Sequence, residues 1–124
     1  MRPLNLTGDP GHNGITELFR AGESVRAWAR YWNTVNAFMH DIAQRYPHNC
    51  RIFRHEDLCS RGYESLSEIL EFTELECSEE NHKAFAHRLR PPTYYKVPLT
   101  DEQLGVIREE TADTAARYGY QAAG

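Results

Sequence analysis

The stretch SVRAWARYWNTVNAFMHDIAQRYP, residues 24–47, decides the fold class. Within it Val25, Trp28, Trp32, Val35, Met39, Ile42 and Tyr46 recur at steps of 3, 4, 3, 4, 3 and 4. Side chains at that spacing line one stripe of a helix, so the segment is expected to be a long amphipathic helix with these residues turned to a core. Ser24 is placed to cap the first turn through its hydroxyl. Pro47, with no N–H and a ring that collides with the preceding turn, cannot continue it, and His48-Asn49 supply the turn that follows. At this spacing the two tryptophans read as core residues before they read as a binding surface.

Downstream, Cys50-Arg51-Ile52-Phe53-Arg54 is short and carries two adjacent large apolar residues, which is the pattern of a strand held between layers. His55-Glu56-Asp57-Leu58 reads as an acidic turn leading through Gly62 into a second helix, Tyr63 to Thr73, with Leu66, Ile69, Leu70 and Thr73 at helical spacing. Ser78-Glu79-Glu80 begins a third helix with acids in its first turn, Phe85 and Leu89 on one face, and Pro91-Pro92 as its stop. Thr100-Asp101-Glu102-Gln103 has the capping-box layout ahead of Leu104, Ile107, Thr111, Ala115 and Tyr118. Gly119-Tyr120 suits a left-handed C-terminal cap with an apolar contact. Residues 1–23, with Gly8-Asp9-Pro10-Gly11 and Asn13-Gly14, are expected to be a loop-rich segment around a small cluster of Ile15, Leu18 and Phe19. The expected fold class is mainly α with one or two short strands, followed by a tail at 121–124.

With 124 residues, 40% hydrophobic and 26% charged, the chain fits one domain with one modest core. The net charge of −4 argues against broad attraction to nucleic acid and leaves room for a local basic patch. No run of about 18 apolar residues occurs, and the first residues lack the basic-then-apolar layout of a secretory signal. A cytoplasmic location with no membrane contact is therefore expected. Cys50, Cys59 and Cys77 form no CxxC pair and are expected as reduced thiols. No two histidines stand at the i, i+4 spacing of helical metal ligands, so no metal is expected. Glu56 and Asp57 are adjacent carboxylates, and Asp57 or Glu56 is expected to bond backbone N–H groups of the following turn rather than the two acting as an acid–base pair.

In its order of elements the sequence resembles the C-terminal half of sulfotransferases. Arg51-Ile52-Phe53-Arg54-His55-Glu56-Asp57-Leu58 is similar to that family's strand ending in Arg-Tyr-Glu-Asp-Leu, with His55 in place of the tyrosine. Trp28 and Trp32 resemble the helix before that strand. Leu70-Glu71-Phe72-Thr73-Glu74-Leu75 resembles a helix end that usually reads Phe-Leu-Gly-Leu, with Glu74 replacing the glycine. Leu99 to Gln103 and Tyr118-Gly119-Tyr120 resemble the last helix, so the likeness spans residues 24–120.

The resemblance implies the C-terminal part of an α/β, P-loop-like sulfotransferase fold. In the intact family it also implies transfer of a sulfuryl group from 3′-phosphoadenosine 5′-phosphosulfate to a hydroxyl or amine. The strand-loop-helix that grips the 5′-phosphosulfate has no counterpart here, because Lys83 and Lys96 are the only lysines and neither follows a strand in a Gly/Ser/Thr-rich loop. The chain is thus expected to be incomplete and inactive alone, with an N-terminal complementing half or self-association as its partner. By resemblance, Arg88, Arg90 and Lys96 fall where the family holds the donor's 3′-phosphate, although Arg90 stands where a glycine is usual. The alternative for these three is a solvated basic rim. His82-Lys83-Ala84-Phe85 resembles the family's His-Thr-Ser-Phe adenine contact, with Phe85 equally expected in the core. The alternative for the whole chain is a small helical protein-interaction module without catalytic activity.

Overall fold

The computed structural model describes residues 14–91 and 98–120. Among the described residues six helices are formed: α1 (Ile15–Arg20), α2 (Ser24–Arg45), α3 (His55–Ser60), α4 (Gly62–Thr73), α5 (Glu79–Arg88) and α6 (Asp101–Arg117). The chain divides into two compact units, Met1–Cys50 with Val97–Gly124, and Arg51–Lys96.

In the first unit α2 packs on α6 and on α1. The long helix begins at Ser24, so this serine is the first helical residue rather than the cap; Glu23 holds the cap position without a side-chain hydrogen bond. The capping box of α6 forms as its sequence implies: Gln103 N–H donates to Thr100 Oγ1 at 3.1 Å, and Thr100 N–H donates to Gln103 Oε1 at 2.9 Å. At the other end of α6, Gly119 takes φ 78°. Tyr120 N–H then reaches Ala115 O, and Gly119 N–H reaches Ala116 O, which is a Schellman closure.

The apolar stripe of α2 does not face α6. At about 100° per residue, Arg26, Arg30, His40 and Asp41 lie roughly 120–160° round the helix from Trp28, and these are the residues that meet α6. Arg26 and Arg30 bond Glu110, Asp41 pairs with Arg117, and the His40 ring lies edge-on to Tyr118. Tyr118 also donates its hydroxyl to Asn36 O at 2.6 Å. Among the described residues the fully or nearly buried aliphatics are small or few: Ile15, Ala27 and Ala29. Trp28, Trp32, Met39 and Tyr46, expected in the core, remain 36–49% exposed. Phe19 and Trp28 meet edge to face with ring centroids 5.1 Å apart, and the expected cluster of Ile15, Leu18 and Phe19 lies on α1, a helix rather than a loop, which packs on α2.

In the second unit α4 packs on α5 and α3. The expected strand at residues 50–54 is absent, and no strand occurs among the described residues. A strand exists by sharing N–H and C=O groups with a neighbour, and no such neighbour is described. Arg54 keeps an extended backbone (φ −79°, ψ 138°), and the guanidinium of Arg51 lies 4.9 Å from the ring centroid of Phe53, two residues on. The acidic turn is a short helix, α3, whose first turn carries Glu56 and Asp57 at the end where negative charge is favoured. Ser78 caps α5 by accepting from Asn81 N–H at 3.2 Å. Gly62 sits where α4 meets α5: a Cβ there would come 3.1 Å from the Ala86 carbonyl oxygen, so a larger residue would require α5 to give by a few tenths of an ångström.

Helix α4 ends on Glu74, which has φ 57°, the one positive φ of a non-glycine residue among those described. Leu75 N–H bonds Leu70 O and Glu74 N–H bonds Glu71 O, the same Schellman pattern seen after α6. This is the position where the family resemblance calls for glycine. An L-residue pays about 1–2 kcal/mol for the left-handed conformation, partly offset by the greater unfolded-state freedom of glycine. Glu74→Gly is therefore expected to stabilise the second unit by roughly 0.5–1 kcal/mol. Urea unfolding followed by circular dichroism checks the sign, and a destabilised variant would mean that the Glu74 side chain contributes more than its backbone costs.

Candidate functional site

The residues singled out for chemistry fall in the second unit. At its centre is His82, which is buried between α4 and α5 and stacks on Tyr63 with ring centroids 4.0 Å apart and planes 4° apart. His82 Nε2 lies 2.8 Å from the Tyr63 carbonyl oxygen and 3.3 Å from Ser67 Oγ. A carbonyl only accepts, so Nε2 carries the proton. Ser67 directs its own proton to the same carbonyl at 3.1 Å. This serine and histidine therefore do not form a nucleophile and base, because the nitrogen facing the hydroxyl has no lone pair to take its proton. Their role is to join two helices.

Tyr63 extends this link by donating its hydroxyl to Glu79 Oε1 at 2.7 Å, and Lys83 Nζ stands 3.7 Å from the same oxygen. The Tyr63 hydrogen bond is the main cause holding the Glu79 carboxyl below its ordinary value, with the nearby Lys83 charge adding to it. Reciprocally, bonding to Glu79 first and burial second raise the Tyr63 phenol. A cleft of about 630 Å³ opens beside His82, lined by Ser67, Leu70, Leu75, Glu76, Cys77 and Ser78. Among the described residues its lining includes the carboxylate of Glu76 and no lysine or arginine.

The cations lie at the other end of α5. Arg88 is the last residue of the helix, where its charge suits the negative pole of the helix dipole. Its guanidinium carbon is 5.8 Å from the ring centroid of Phe85. Phe85 is 54% exposed, so it is not the core residue that its helical spacing suggested; His82 takes the buried place instead. Arg90 follows in a non-helical stretch and is exposed, as is Arg88. Among the described residues, no ion pair engages Arg88 or Arg90. Lys96, the third expected cation, lies outside the described residues.

One pairing was not foreseen from sequence. With α3 helical, His55 and Cys59 stand at i, i+4, and His55 Nε2 is 3.4 Å from Cys59 Sγ. The thiol is also 3.3 Å from the Arg90 carbonyl oxygen, to which it donates. This contact fastens the strand-like exit of α5 to α3 and so positions the backbone of Arg90. The signal lay in the spacing, and it was lost because residues 55–58 read as a turn. Cys50, Cys59 and Cys77 are free thiols.

Asp57 does not bond backbone N–H groups through its carboxylate; it pairs with Arg54 at 3.6 Å, while its carbonyl accepts from Arg61 N–H and Ser65 Oγ. Among the described residues no three His, Cys, Asp or Glu side chains cluster as a metal site, and no helix is long and apolar enough to cross a membrane. The site thus reduces to an exposed aromatic ring with one arginine over it and a second arginine two residues on. Comparison with protein-family models, with curated proteins and with solved structures gives no match for this chain.

Proposed function

We propose that the chain supplies the C-terminal part of a sulfotransferase-type protein and contributes a 3′-phosphate corner of the donor site, formed by Arg88 and Arg90 beside Phe85, with Lys96 as the third cation that the resemblance implies. The observation that carries this reading is the exposure of Phe85 with the Arg88 guanidinium 5.8 Å from its ring centre. A half-exposed ring offers a face to a purine, and an arginine beside it can meet a phosphate through two parallel, charge-assisted hydrogen bonds. The end of α5 presents carbonyls rather than N–H groups, so binding there depends on side-chain cations alone. That makes the corner weak by itself. Sulfuryl transfer from 3′-phosphoadenosine 5′-phosphosulfate to a hydroxyl or amine needs a phosphosulfate loop from a complementing half, and the isolated chain is inactive in this reading.

Amide chemical shifts of the labelled chain, titrated with 3′,5′-adenosine bisphosphate, test the location. Shifts centred on residues 85–90, larger than those given by adenosine, support the corner. Shifts centred on the cleft beside His82, or sulfuryl transfer by the chain alone at an ordinary enzymatic rate, contradict it.

The second reading, a helical protein-interaction module without catalysis, is favoured by a different observation: the half-exposed Trp28, Trp32, Met39 and Tyr46 along α2. Large apolar side chains left in water on one stripe are the usual mark of a surface that meets another protein.

A further inference from the structure

The cleft beside His82 holds a hydrogen-bond acceptor that the fold does not use. His82 is 7% exposed, and its Nε2 is committed to the Tyr63 carbonyl oxygen and Ser67 Oγ on α4. Because Nε2 carries the proton, the neutral ring has its free lone pair on Nδ1. Among the described residues no group pairs with that nitrogen, and it is not sealed from solvent. The ring lines the cleft of about 630 Å³ together with Leu70, Leu75 and Glu76.

A largely buried acceptor without a partner calls for an N–H or O–H group on whatever enters. The charge around it decides between the two. From Glu71 to Glu80 the chain carries the carboxylates of Glu71, Glu74, Glu76, Glu79 and Glu80 and no lysine or arginine. Lys83, the next cation along α5, stands 3.7 Å from Glu79. That field favours a positive head group over a neutral hydroxyl. A metal ion is not the fit, because no three His, Cys, Asp or Glu side chains cluster among the described residues. An ammonium group meets both demands, with N–H donors for Nδ1 and a charge for the Glu76 carboxylate. Leu70 and Leu75 give an attached alkyl chain a surface to lie on.

We propose that this cleft binds a small primary alkylammonium ion, with one N–H donated to His82 Nδ1 and its charge beside Glu76. It goes beyond the nucleotide reading and does not rest on it, since the cations of that reading lie at the other end of α5. Glu76 is exposed, so the dissociation constant is on the order of 1–10 mM.

Nuclear magnetic resonance of the full ¹⁵N-labelled chain, titrated at neutral pH and constant ionic strength with n-butylammonium chloride, reads this directly. Saturable amide shifts centred on residues 70, 75–78 and 82 are expected, and the ring spectrum of His82 should show Nδ1 moving while Nε2 stays. Tetramethylammonium, which has the charge and no N–H, and n-butanol, which has a donor and no charge, should both bind far more weakly. Glu76→Gln, at an exposed position, should leave the circular dichroism unchanged and weaken binding roughly 3-fold. Absence of saturable shifts, or an Nδ1 signal that does not move, overturns the proposal. Equal binding of either control, or binding unaffected by Glu76→Gln, overturns it as well.

Discussion

Replacing Ile15 with alanine is expected to lower the stability of the first unit by about 2–4 kcal/mol. Ile15 is the only large side chain with no solvent exposure among the described residues, and it belongs to α1, which packs on α2. Truncation removes buried methyl groups and leaves a void that the surrounding structure closes only in part. The readout is convenient because both tryptophans lie in α2, and Trp28 touches Phe19 of α1. Urea unfolding followed by tryptophan fluorescence should show a lower midpoint with little change in slope. A loss below about 1 kcal/mol would mean that α1 contributes little to the fold.

The second large effect concerns Glu110, whose carboxylate takes hydrogen bonds from both Arg26 and Arg30 at 2.8 Å and has a side chain only 13% exposed. The bond from Arg30 is the largest cause holding this carboxyl below its ordinary value, and the bond from Arg26 adds to it. Because the folded value is depressed, the stabilisation is present above the ordinary carboxylate value of 4.5 and is lost as pH falls through the folded value. Glu110→Gln removes the charge while keeping the shape. With both arginines still partly solvated, the expected cost at neutral pH is about 1–2 kcal/mol, below the full range for charged hydrogen bonds. The same variant should flatten the loss of stability below pH 4.5. An acid limb as steep as that of the wild type would place the responsible carboxylate elsewhere.

These two predictions depend on a core that only partly follows from sequence. The ends of the helices were legible because local chemistry decides them: Thr100 with Gln103, Ser78, Pro47 and Gly119 each act within a few residues. The stripe of α2 was legible as a helical face, but periodicity identifies which residues share a side, not what covers them. Here α6 took the opposite side, through Arg26, Arg30 and Glu110, an arrangement no spacing rule ranks above apolar contact. The strand at residues 50–54 failed for a related reason, since β structure depends on a partner that local sequence does not supply.

The candidate site was legible only in outline. Arg88 and Arg90, which the resemblance to sulfotransferases singled out, are exposed, and Phe85 is 54% exposed rather than packed. His82 went the other way: the shared stretch suggested a base contact, yet its ring is committed to Tyr63 and Ser67. Burial of a histidine between two helices depends on the register of α4 against α5, which come close at Gly62 and which local sequence does not specify. The Cys59 contact to Arg90 likewise required α3 to be helical before its spacing acquired meaning.

The most direct test of the phosphate corner is calorimetric titration of the full chain with 3′,5′-adenosine bisphosphate, comparing wild type with the Arg88→Ala, Arg90→Ala double variant. Saturable binding by the wild type, lost in the double variant while its circular dichroism is unchanged, is the predicted result. No heat at millimolar ligand, or binding that survives both substitutions, would contradict the proposal.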